Sequence, residues 1–512
     1  MQIRASRRLA GAAAIVMAAY VSSRFTGLLR DIVVSSRFGT GREYDAYLAA
    51  NRVPDLVFQI AAGAAVASAF IPVYSEILAR HDRVGAQRLV NTLFTISVVG
   101  LLPIVLLVML FAPEIMRLMV PGYPPEYQDL AANLSRIILL APIFFTVGCF
   151  STSLLNAHRR FLLAALAPTA YNLGIILGAA VFSRWLGISG LALGALVGSM
   201  FFLAIQLPGL RQIGLVFRPT LDLSDVGVRK VGRLMGPRVL GLAVTQVNFV
   251  VTLYLASGID GGVAALNYAW ILTMLPLGVF AMAISTAVFP TLAEHGATSD
   301  HAKLRRTLDS AVRFIMFLTI PATIGLITLS QPIVRLVFQR GQFTELSTAM
   351  TAGALRFYAA GLLGMATVEI VTRAFYALHD TRTPVKVASL GMALNLALGI
   401  VLVRVMGISG LALATAIAST VEAIVLFSIG QRRAAGLNYR DLIRSAATCL
   451  VAALAMGVVV NVVSRVVAPV DHSYGNVEMV IASVVVGGGV YLALTFALGS
   501  REIRQLWRVA KP

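Results

Sequence analysis

The sequence predicts an all-α polytopic membrane protein with about 14 transmembrane helices. Of its 512 residues, 58% are hydrophobic and only 13% are charged, and the mean hydropathy is +0.83. Apolar runs near the length of about 20 residues that crosses a bilayer recur along the whole chain. The short alternating segments of outer-membrane barrels are not evident. An ordinary soluble domain is excluded, because its core cannot bury so much apolar surface.

The apolar runs define the predicted spans in chain order. The first begins with the basic segment MQIRASRR and the apolar run LAGAAAIVMAAY. This start resembles a signal peptide, but no cleavage site of small residues follows, so we interpret it as an uncleaved span. We expect spans near residues 9–36, 44–78, 88–112, 129–157, 161–184, 188–210, 231–256, 262–292, 306–329, 347–378, 384–404, 408–430, 442–466 and 476–499.

Basic residues are unevenly distributed between the two sides of the membrane. The net charge is +19, and most arginines and lysines fall in the two tails and the even-numbered connections. Cytoplasmic segments are enriched in Lys and Arg, so both termini are predicted to be cytoplasmic. No nucleic-acid partner is expected, because the charges lie in short connections between spans. The opposite side holds Arg37, Arg42, Arg117, Arg184, Arg335, Arg340, Arg404 and Arg465.

The sequence also contains an internal repeat. Because its offset covers six helices, both halves keep the same orientation, and transporters commonly bind substrate between such repeats. We predict an N-terminal lobe at 1–218 (helices 1–6), a C-terminal lobe at 219–436 (helices 7–12) and appended helices 13–14 at 437–512. The matching segments are GISGLALG at 187–194 and GISGLALA at 407–414, FIPVYSE at 70–76 and VFPTLAE at 288–294, and LNAH at 155–158 and YALH at 376–379.

Motifs of catalysis and metal binding are not found. No Walker motif, HExxH, CxxC pair or GxSxG is present, and Cys149 and Cys449 lie in apolar runs. The two cysteines predict neither a disulfide framework nor a metal cluster. We therefore expect a secondary transporter and not an enzyme, with no cofactor and with possible coupling to sodium ions or protons.

Charged residues inside apolar helices indicate a substrate cavity. The segment 22–74 carries Arg24, Arg30, Asp45 and Arg52 within or beside apolar runs. Charges at membrane depth are costly, so they normally face a protein interior or a water-filled cavity and mark a functional path. The predominance of arginine predicts an anionic substrate.

A series of motifs is spread over nearly the whole chain. The segments are SRFTGLLRD at 23–31, FG at 38–39, DAYLAA at 45–50, VPDL at 53–56, AFIPVY at 69–74, LAPT at 166–169, QLPGLRQIG at 206–214, MGPRVLG at 235–241 and FYALHDTRTPV at 375–385. In this order they resemble the MurJ lipid II flippases, in the multidrug/oligosaccharidyl-lipid/polysaccharide exporter superfamily. SRxxGxxRD followed by FYAxxDTRTPV is, together, a specific signature of this family.

The resemblance implies two six-helix lobes plus two C-terminal helices, and alternating access. Its substrate would be lipid II, the undecaprenyl-diphosphate-linked precursor of peptidoglycan, moved from the cytoplasmic to the periplasmic leaflet of the bacterial cytoplasmic membrane. The isoprenoid tail would stay in lipid along a groove near spans 13 and 14. Expected partners are membrane lipids and the cell-wall synthesis machinery, and the chain is expected to work as a monomer.

Family roles are carried over by position. Arg24 and Arg30 match two cavity arginines, Asp45 matches an acidic residue at the start of helix 2, and Asp380 matches a position associated with sodium in some members. Many members have basic residues where this chain has Phe58 and Gln59, and an arginine near the position of Trp270 and Ile271. Either Arg52, Arg238 or Arg373 compensates for this less basic cavity, or the substrate head group differs.

Structural roles compete with the functional ones. Arg24 would instead pair with Asp31, Asp45 would favour the helix N-terminus, and Arg52 would bind carbonyls freed at Pro54. A further alternative applies to Asp380, which would cap the following helix.

Glu369 and Arg373 are four residues apart and are predicted to form a structural ion pair, with gating or proton coupling as the alternative. Trp270 is expected to pack in the interior or to stack on a sugar.

Three other functions stay open at this point. One is a flippase for a different undecaprenyl-linked glycan, and a second is a drug/cation antiporter of the same superfamily. An antiporter would carry intramembrane carboxylates, whereas the first span here is rich in arginine. The third is an enzyme acting on lipid-linked sugars, which needs acid/base or metal-binding residues grouped at one membrane face.

Overall fold

The computed structural model describes residues 2–61, 65–214, 216–298, 300–433, 439–467 and 475–503. This part of the chain is almost entirely helical and contains no β-strand. Two π-helical segments, Gly178–Phe182 and Leu277–Met282, interrupt otherwise continuous helices. The α-helices are α1 (Gln2–Phe38), α2 (Arg42–Ala61), α3 (Ala65–Ala79), α4 (Arg83–Leu110), α5 (Ala112–Met119), α6 (Pro125–Ile138), α7 (Ala141–Ala157), α8 (Phe161–Leu177), α9 (Ser183–Leu186), α10 (Ile188–Ala204), α11 (Leu207–Gln212), α12 (Val226–Ala256), α13 (Gly262–Pro276), α14 (Ala283–Ala297), α15 (His301–Thr328), α16 (Ser330–Phe338), α17 (Glu345–Ala360), α18 (Leu362–Ala377), α19 (Arg382–Met406), α20 (Ile408–Arg433), α21 (Tyr439–Val467) and α22 (Gly475–Ala497).

Ten helical segments of the described chain are long and apolar enough to cross a membrane. The pair α17–α18, bent by 45° at its break, makes eleven when it is counted as one span. The predicted class, an all-α polytopic membrane protein, is therefore confirmed. The count of 14 stays a prediction, because α1, α2 with α3, and α12 are not among these apolar spans.

The sequence repeat is visible in the backbone. Asp82 caps α4 by accepting a hydrogen bond from the Gly85 N–H, and Asp300 caps α15 in the same way through Lys303. These caps are 218 residues apart. Each capped helix is followed by a short helix, α5 or α16, and then by a pair of longer ones.

The ends of α7 and α18 are also equivalent. Arg159 and His379 both have φ near +59°, a conformation uncommon outside glycine. The next N–H in each half, of Arg160 and Asp380, donates to the carbonyl five residues earlier, as in a Schellman motif. This geometry pairs His379 with Arg159 at an offset of 220. The sequence match, which pairs His379 with His158, is therefore one residue out of register.

The GISGLAL segments end one helix and begin the next in both halves. Gly187 has φ 54° and ψ −137°, and Gly407 has φ 58° and ψ −139°. An L-residue with a side chain rarely adopts these angles, so glycine is required. The following glycines pack against the preceding helix end: a Cβ on Gly190 would lie 2.5 Å from the Phe182 carbonyl carbon.

Clustering of contacts divides the chain into two units. Unit 1 holds residues 1–261 and Arg340–Phe343, and unit 2 holds 262–339 and 344–512. Helix α12 belongs to unit 1, where it packs on α2 and α3. The boundaries predicted from the repeat, after residues 218 and 436, describe a different division and stay a prediction.

Each unit has its own apolar core. In unit 1, Phe70, Leu89 and Leu154 join α3, α4 and α7. In unit 2, one core is built on α14, α15 and α18. A second core, which includes Phe317 and Tyr491, holds the appended helices α21 and α22 against α15, and the Tyr491 hydroxyl donates to the Phe317 carbonyl at 2.7 Å.

Helix α8 is fixed between α1 and α10 in unit 1. Glycines let α8 and α10 approach closely, since a Cβ added to Gly178 would lie 2.6 Å from the Gly194 Cα. Small residues at helix interfaces are the usual means of close packing in membranes. The opposite side of α8 is left to contact α1, where the candidate site lies.

Replacing Gly187 with alanine should destabilise the protein. The cost, about 1–3 kcal/mol, comes from the backbone conformation, because no atom lies within 4 Å of the added Cβ. The control is Gly100→Ala in the middle of α4, where the Cβ also meets nothing within 4 Å. A helical backbone tolerates alanine, so the control should not lower stability. Equal apparent melting temperatures of the two purified variants in detergent would contradict this explanation.

Candidate functional site

The best-defined polar cluster joins α1 to α8. The Arg30 guanidinium donates from Nε to Asp31 Oδ1 at 2.9 Å, and its Nη2 lies 2.8 Å from the same oxygen. Its Nη1 donates to the Asn172 side-chain oxygen at 3.1 Å. Asp31 is buried and Arg30 is partly buried, with side chains 9% and 27% exposed. Arg30 is therefore held in one orientation by two neighbours.

Asn172 completes the link between the two helices. Its side-chain nitrogen donates to the Ser23 carbonyl and to Thr26 Oγ1, both at 3.3 Å. The amide thus uses both ends, with its oxygen toward Arg30 and its nitrogen toward the preceding turn of α1. Sequence reasoning missed this residue. The available signal was a single carboxamide inside the apolar span that begins at Phe161.

Arg24 lies on the same helix but is exposed. Within the described residues, no hydrogen bond or ion pair engages its guanidinium. The alternative pairing of Arg24 with Asp31 is wrong, because Asp31 binds the adjacent Arg30 instead. Of these two arginines on α1, Arg30 is oriented by its neighbours, and Arg24 has no partner among the described residues.

Helix α2 supplies Arg52 and Asp45 in different environments. Arg52 is partly exposed, with its Nη1 3.9 Å from Asp55 Oδ2 and its guanidinium carbon 4.8 Å from the centre of the Phe249 ring. The cation–π geometry places Arg52 between α2 and α12. Asp45 lies in the first turn of α2 and is only 1% exposed. Its position suits the helix N-terminus and does not place it on an open surface.

Phe58 and Trp270 are two of the residues at which the resemblance led us to expect basic side chains. Phe58 packs on Phe145 with ring centres 5.6 Å apart. Trp270 meets Tyr358 edge-on at 5.3 Å, so it packs in unit 2 as expected. Phe145 also contacts Tyr171, the residue before Asn172. In unit 1, aromatic packing therefore extends close to the Arg30 cluster.

The predicted ion pair between Glu369 and Arg373 is present on α18. Arg373 Nη2 donates to Glu369 Oε1 at 2.8 Å, and both side chains are partly exposed. Arg373 also donates to Thr286 Oγ1 at 3.0 Å, and Ser285 donates to Glu369 at 3.4 Å. The pair therefore bridges α18 to α14 within unit 2.

Asp380 performs the capping role at the start of α19. Its carboxylate accepts hydrogen bonds from the backbone N–H groups of Arg382 and Thr383 and from the Thr383 hydroxyl. Within the described residues, no group of three or more His, Cys, Asp and Glu side chains could hold a metal ion. A sodium site at Asp380 stays a prediction. Arg238 lies in 234–245, most of whose side chains, including its own, are outside the described part of the structure.

The predicted residues thus form separate groups. In unit 1, Arg30 is joined to Asp31 and Asn172, and Arg24 lies six residues earlier on the same helix. Arg52 and Asp45 lie on α2 of that unit. Glu369, Arg373 and Asp380 belong to unit 2. The first group is the best candidate for binding an anion, because it combines an arginine oriented by Asp31 and Asn172 with Arg24, which has no hydrogen-bond or ion-pair partner among the described residues.

Comparison with known proteins places the chain in a family. Residues 34–484 match the family described as lipid II flippase MurJ. A relative from Haemophilus influenzae, named "Probable lipid II flippase MurJ", is 31% identical, and the match covers 86% of this chain and 89% of the relative. A Rhizobium tropici relative with the same name is 28% identical over 96% of this chain and 95% of its own.

Solved structures agree. The structure titled "Lipid II flippase MurJ, inward closed conformation" superposes with a TM-score of 0.78 at 27% identity, covering 94% of this chain and 97% of the other. An inward-facing multidrug resistance transporter of the MATE family has a TM-score of 0.66 at 19% identity, covering 82% of this chain and 98% of that one. The second likeness extends to the fold alone.

Reversing the charges of Glu369 and Arg373 tests whether the pair is structural. Glu369→Arg alone should lower the melting temperature, because it places two cations four residues apart. Adding Arg373→Glu should restore most of the loss, since the pair re-forms with opposite polarity. A double-mutant cycle should give a coupling energy of about 0.5–1 kcal/mol. Zero coupling would show that the two side chains do not stabilise each other.

Proposed function

Because this chain belongs to the lipid II flippase MurJ family, we propose that it moves lipid II from the cytoplasmic to the periplasmic leaflet of the bacterial cytoplasmic membrane. The observation that carries the proposal is the arrangement on α1, where Arg30 is oriented by Asp31 and Asn172 beside Arg24. Lipid II carries a diphosphate, the most highly charged part of the molecule. A cationic pair on one helix supplies the partner that this group needs inside a membrane.

The two arginines suit different parts of the task. Arg30 uses three of its five N–H groups for Asp31 and Asn172, which leaves two N–H groups for a ligand. Arg24 has no protein partner among the described residues, so its whole fork is available. They are six residues apart, about 9 Å along the helix axis and about 120° around it. To bind the same diphosphate, the long Arg24 side chain has to reach around the helix toward Arg30, and both would then bind phosphate oxygens with charge-assisted hydrogen bonds.

Alternating access is the mechanism that fits this architecture. Transporters built from repeats move substrate by rocking one repeat against the other around a site near the membrane midplane. The backbone equivalence of the two halves, seen at Gly187 and Gly407, supports that mechanism here. We propose that the chain acts as a secondary transporter without enzymatic activity, as a monomer, and with both termini in the cytoplasm. Sodium ions, protons or the membrane potential would drive it, and cell-wall synthases would use its product.

The antiporter alternative has less support. The likeness to multidrug transporters extends to the fold alone. A cationic drug needs carboxylates in the cavity, but Asp31 is already paired with Arg30 and Asp45 is buried. An anionic substrate is therefore the better match.

The first experiment is rescue of bacteria depleted of their own lipid II flippase. The wild-type chain should restore growth, whereas Arg24→Ala and Arg30→Ala should fail at matched membrane levels. Each lost charge-assisted contact is worth about 1.5–3 kcal/mol. The control is Arg184→Ala, which removes an exposed arginine on α9 and should rescue fully.

The outcomes distinguish an error in the proposed substrate from an error in the proposed binding residues. If the well-expressed wild type fails to rescue, lipid II is the wrong substrate and a different undecaprenyl-linked glycan becomes the better candidate. If all variants rescue, lipid II transport stands and the roles given to Arg24 and Arg30 are wrong.

Asn172→Leu should also impair rescue, although Asn172 is not expected to contact the substrate. Leucine removes the oxygen that orients Arg30 and the amide that holds α1 through Thr26. The matched control is Asn133→Leu, since the Asn133 oxygen also accepts from an arginine, Arg136, at 3.1 Å, but on an exposed surface. Both variants should be produced at wild-type levels. Equal rescue by the two would show that orientation of Arg30 is unimportant.

A further inference from the structure

An apolar cleft in unit 1 lies away from the α1–α8 cluster. Its volume is about 370 Å³, within the range of about 300–1,000 Å³ typical of ligand pockets. Phe94 and Val98 of α4, Leu203 of α10 and Leu210 of α11 line it, together with Phe217 from the segment that follows. Among the residues that line the cleft, Arg211 is the charged one. A lining of this kind suits a hydrocarbon chain that ends in an anion.

The segment after α11 is fixed along α4. The Gln87 side chain donates to the Val216 carbonyl at 2.7 Å, and the Thr220 N–H donates to Thr95 Oγ1 at 3.1 Å. The ring of Phe217 lies 6.2 Å from that of Phe94. These contacts hold the segment beside the cleft, although its described residues, 213–214 and 216–225, form no helix.

This segment, defined here as the linker 213–225, exposes apolar side chains beside basic ones. Phe217 is 52% exposed, and Leu221 and Leu223 are each 60% exposed. Arg211 precedes the linker and Arg218 lies within it, and both are exposed. Apolar residues mixed with arginine are typical of segments that lie in the membrane interface. This composition predicts that the linker lies at the level of the lipid head groups.

The acidic groups of the linker are already engaged. Asp222 accepts hydrogen bonds from the Ser224 hydroxyl and N–H, which lower the pKa of its carboxyl group. Asp225 caps α12 through the Val228 N–H. By contrast, within the described residues no hydrogen bond or ion pair engages the guanidinium of Arg211 or Arg218. Arg211 therefore places a positive charge in the wall of the cleft, and Arg218 places a second one next to Phe217 in the linker.

We propose that the cleft and the linker bind an anionic membrane phospholipid. One acyl chain occupies the cleft against Phe94, Val98 and Leu210, and the phosphate lies against Arg211 and Arg218. Basic residues next to the ends of spans attract the anionic lipids of the cytoplasmic leaflet, which is the side on which the charge distribution predicts this linker. The site is built on α4, α7, α10 and α11, so it is separate from the arginines proposed to bind lipid II.

Lipid titration of the purified protein, read by native mass spectrometry, tests the proposal. Phosphatidylglycerol should fill one saturable site, and phosphatidylcholine should not. The double variant Arg211→Gln/Arg218→Gln should bind phosphatidylglycerol about 30-fold more weakly, since each basic residue contributes roughly fivefold. Val98→Trp, which fills the cleft without changing charge, should also weaken binding. The control Arg233→Gln removes an exposed basic residue on α12 and should bind like the wild type.

Each other outcome overturns the proposal. Equal binding of the two lipids, or unchanged binding by the double variant, would exclude recognition of the phosphate by these arginines. Unchanged binding by Val98→Trp would exclude the cleft, and displacement of the lipid by millimolar inorganic phosphate would show that the acyl chain contributes nothing. Arg30→Ala should retain the site, so that a failure here is distinct from a failure of the lipid II assignment.

Discussion

The structure depends on how the charge of Arg30 is accommodated inside a membrane helix. An isolated arginine at the centre of a bilayer costs several kcal/mol, so a partner must lie within reach. Asp31 supplies the countercharge from the next residue, and Asn172 supplies an acceptor from a different helix. Because Asn172 also binds Thr26, the same interaction fixes α1 against α8. The close packing of α8 on α10 through Gly178 and Gly194 then connects this charge to the interior of unit 1.

The two halves share backbone geometry but not charge. Both use an aspartate cap, a Schellman end and a positive-φ glycine at equivalent positions. The polar contacts within their spans differ. In the first half Arg30 binds Asp31 on α1 and Asn172 on α8, and in the second half Arg373 binds Glu369 on α18 and Thr286 on α14. Each arginine joins two helices, but at different places in the repeat. A repeat conserves the turns that set its topology, while the side chains inside the spans are free to specialise.

Composition and short-range residue spacing predicted the features of the structure that depend on residues close together in the sequence. Composition gave the class, the offset of matching segments gave the repeat, and the spacing of Glu369 and Arg373 gave their ion pair. Asn172 was missed because its partner Arg30 is 142 residues away in the chain, and no spacing rule reaches that far. The count of spans is uncertain for a related reason. Helices α1, α2 and α12 contain the charged candidates of the first span, of the second span and at position 238. Those charges lower the mean hydropathy by which a membrane span is recognised.

A flippase must release its substrate as well as bind it, and the pairing of Arg30 with Asp31 serves both needs. Two arginines without a countercharge in a low-dielectric cavity would bind a diphosphate too tightly to release it. Ion channels face the same requirement, because their sites must bind an ion weakly enough for it to leave. Under the proposed roles, Asp31 and the diphosphate would share Arg30, so the Asp31 charge would weaken the hold on the substrate. Arg24, which has no carboxylate partner among the described residues, would supply the initial attraction. When the substrate leaves, the ion pair with Asp31 would keep the Arg30 charge compensated.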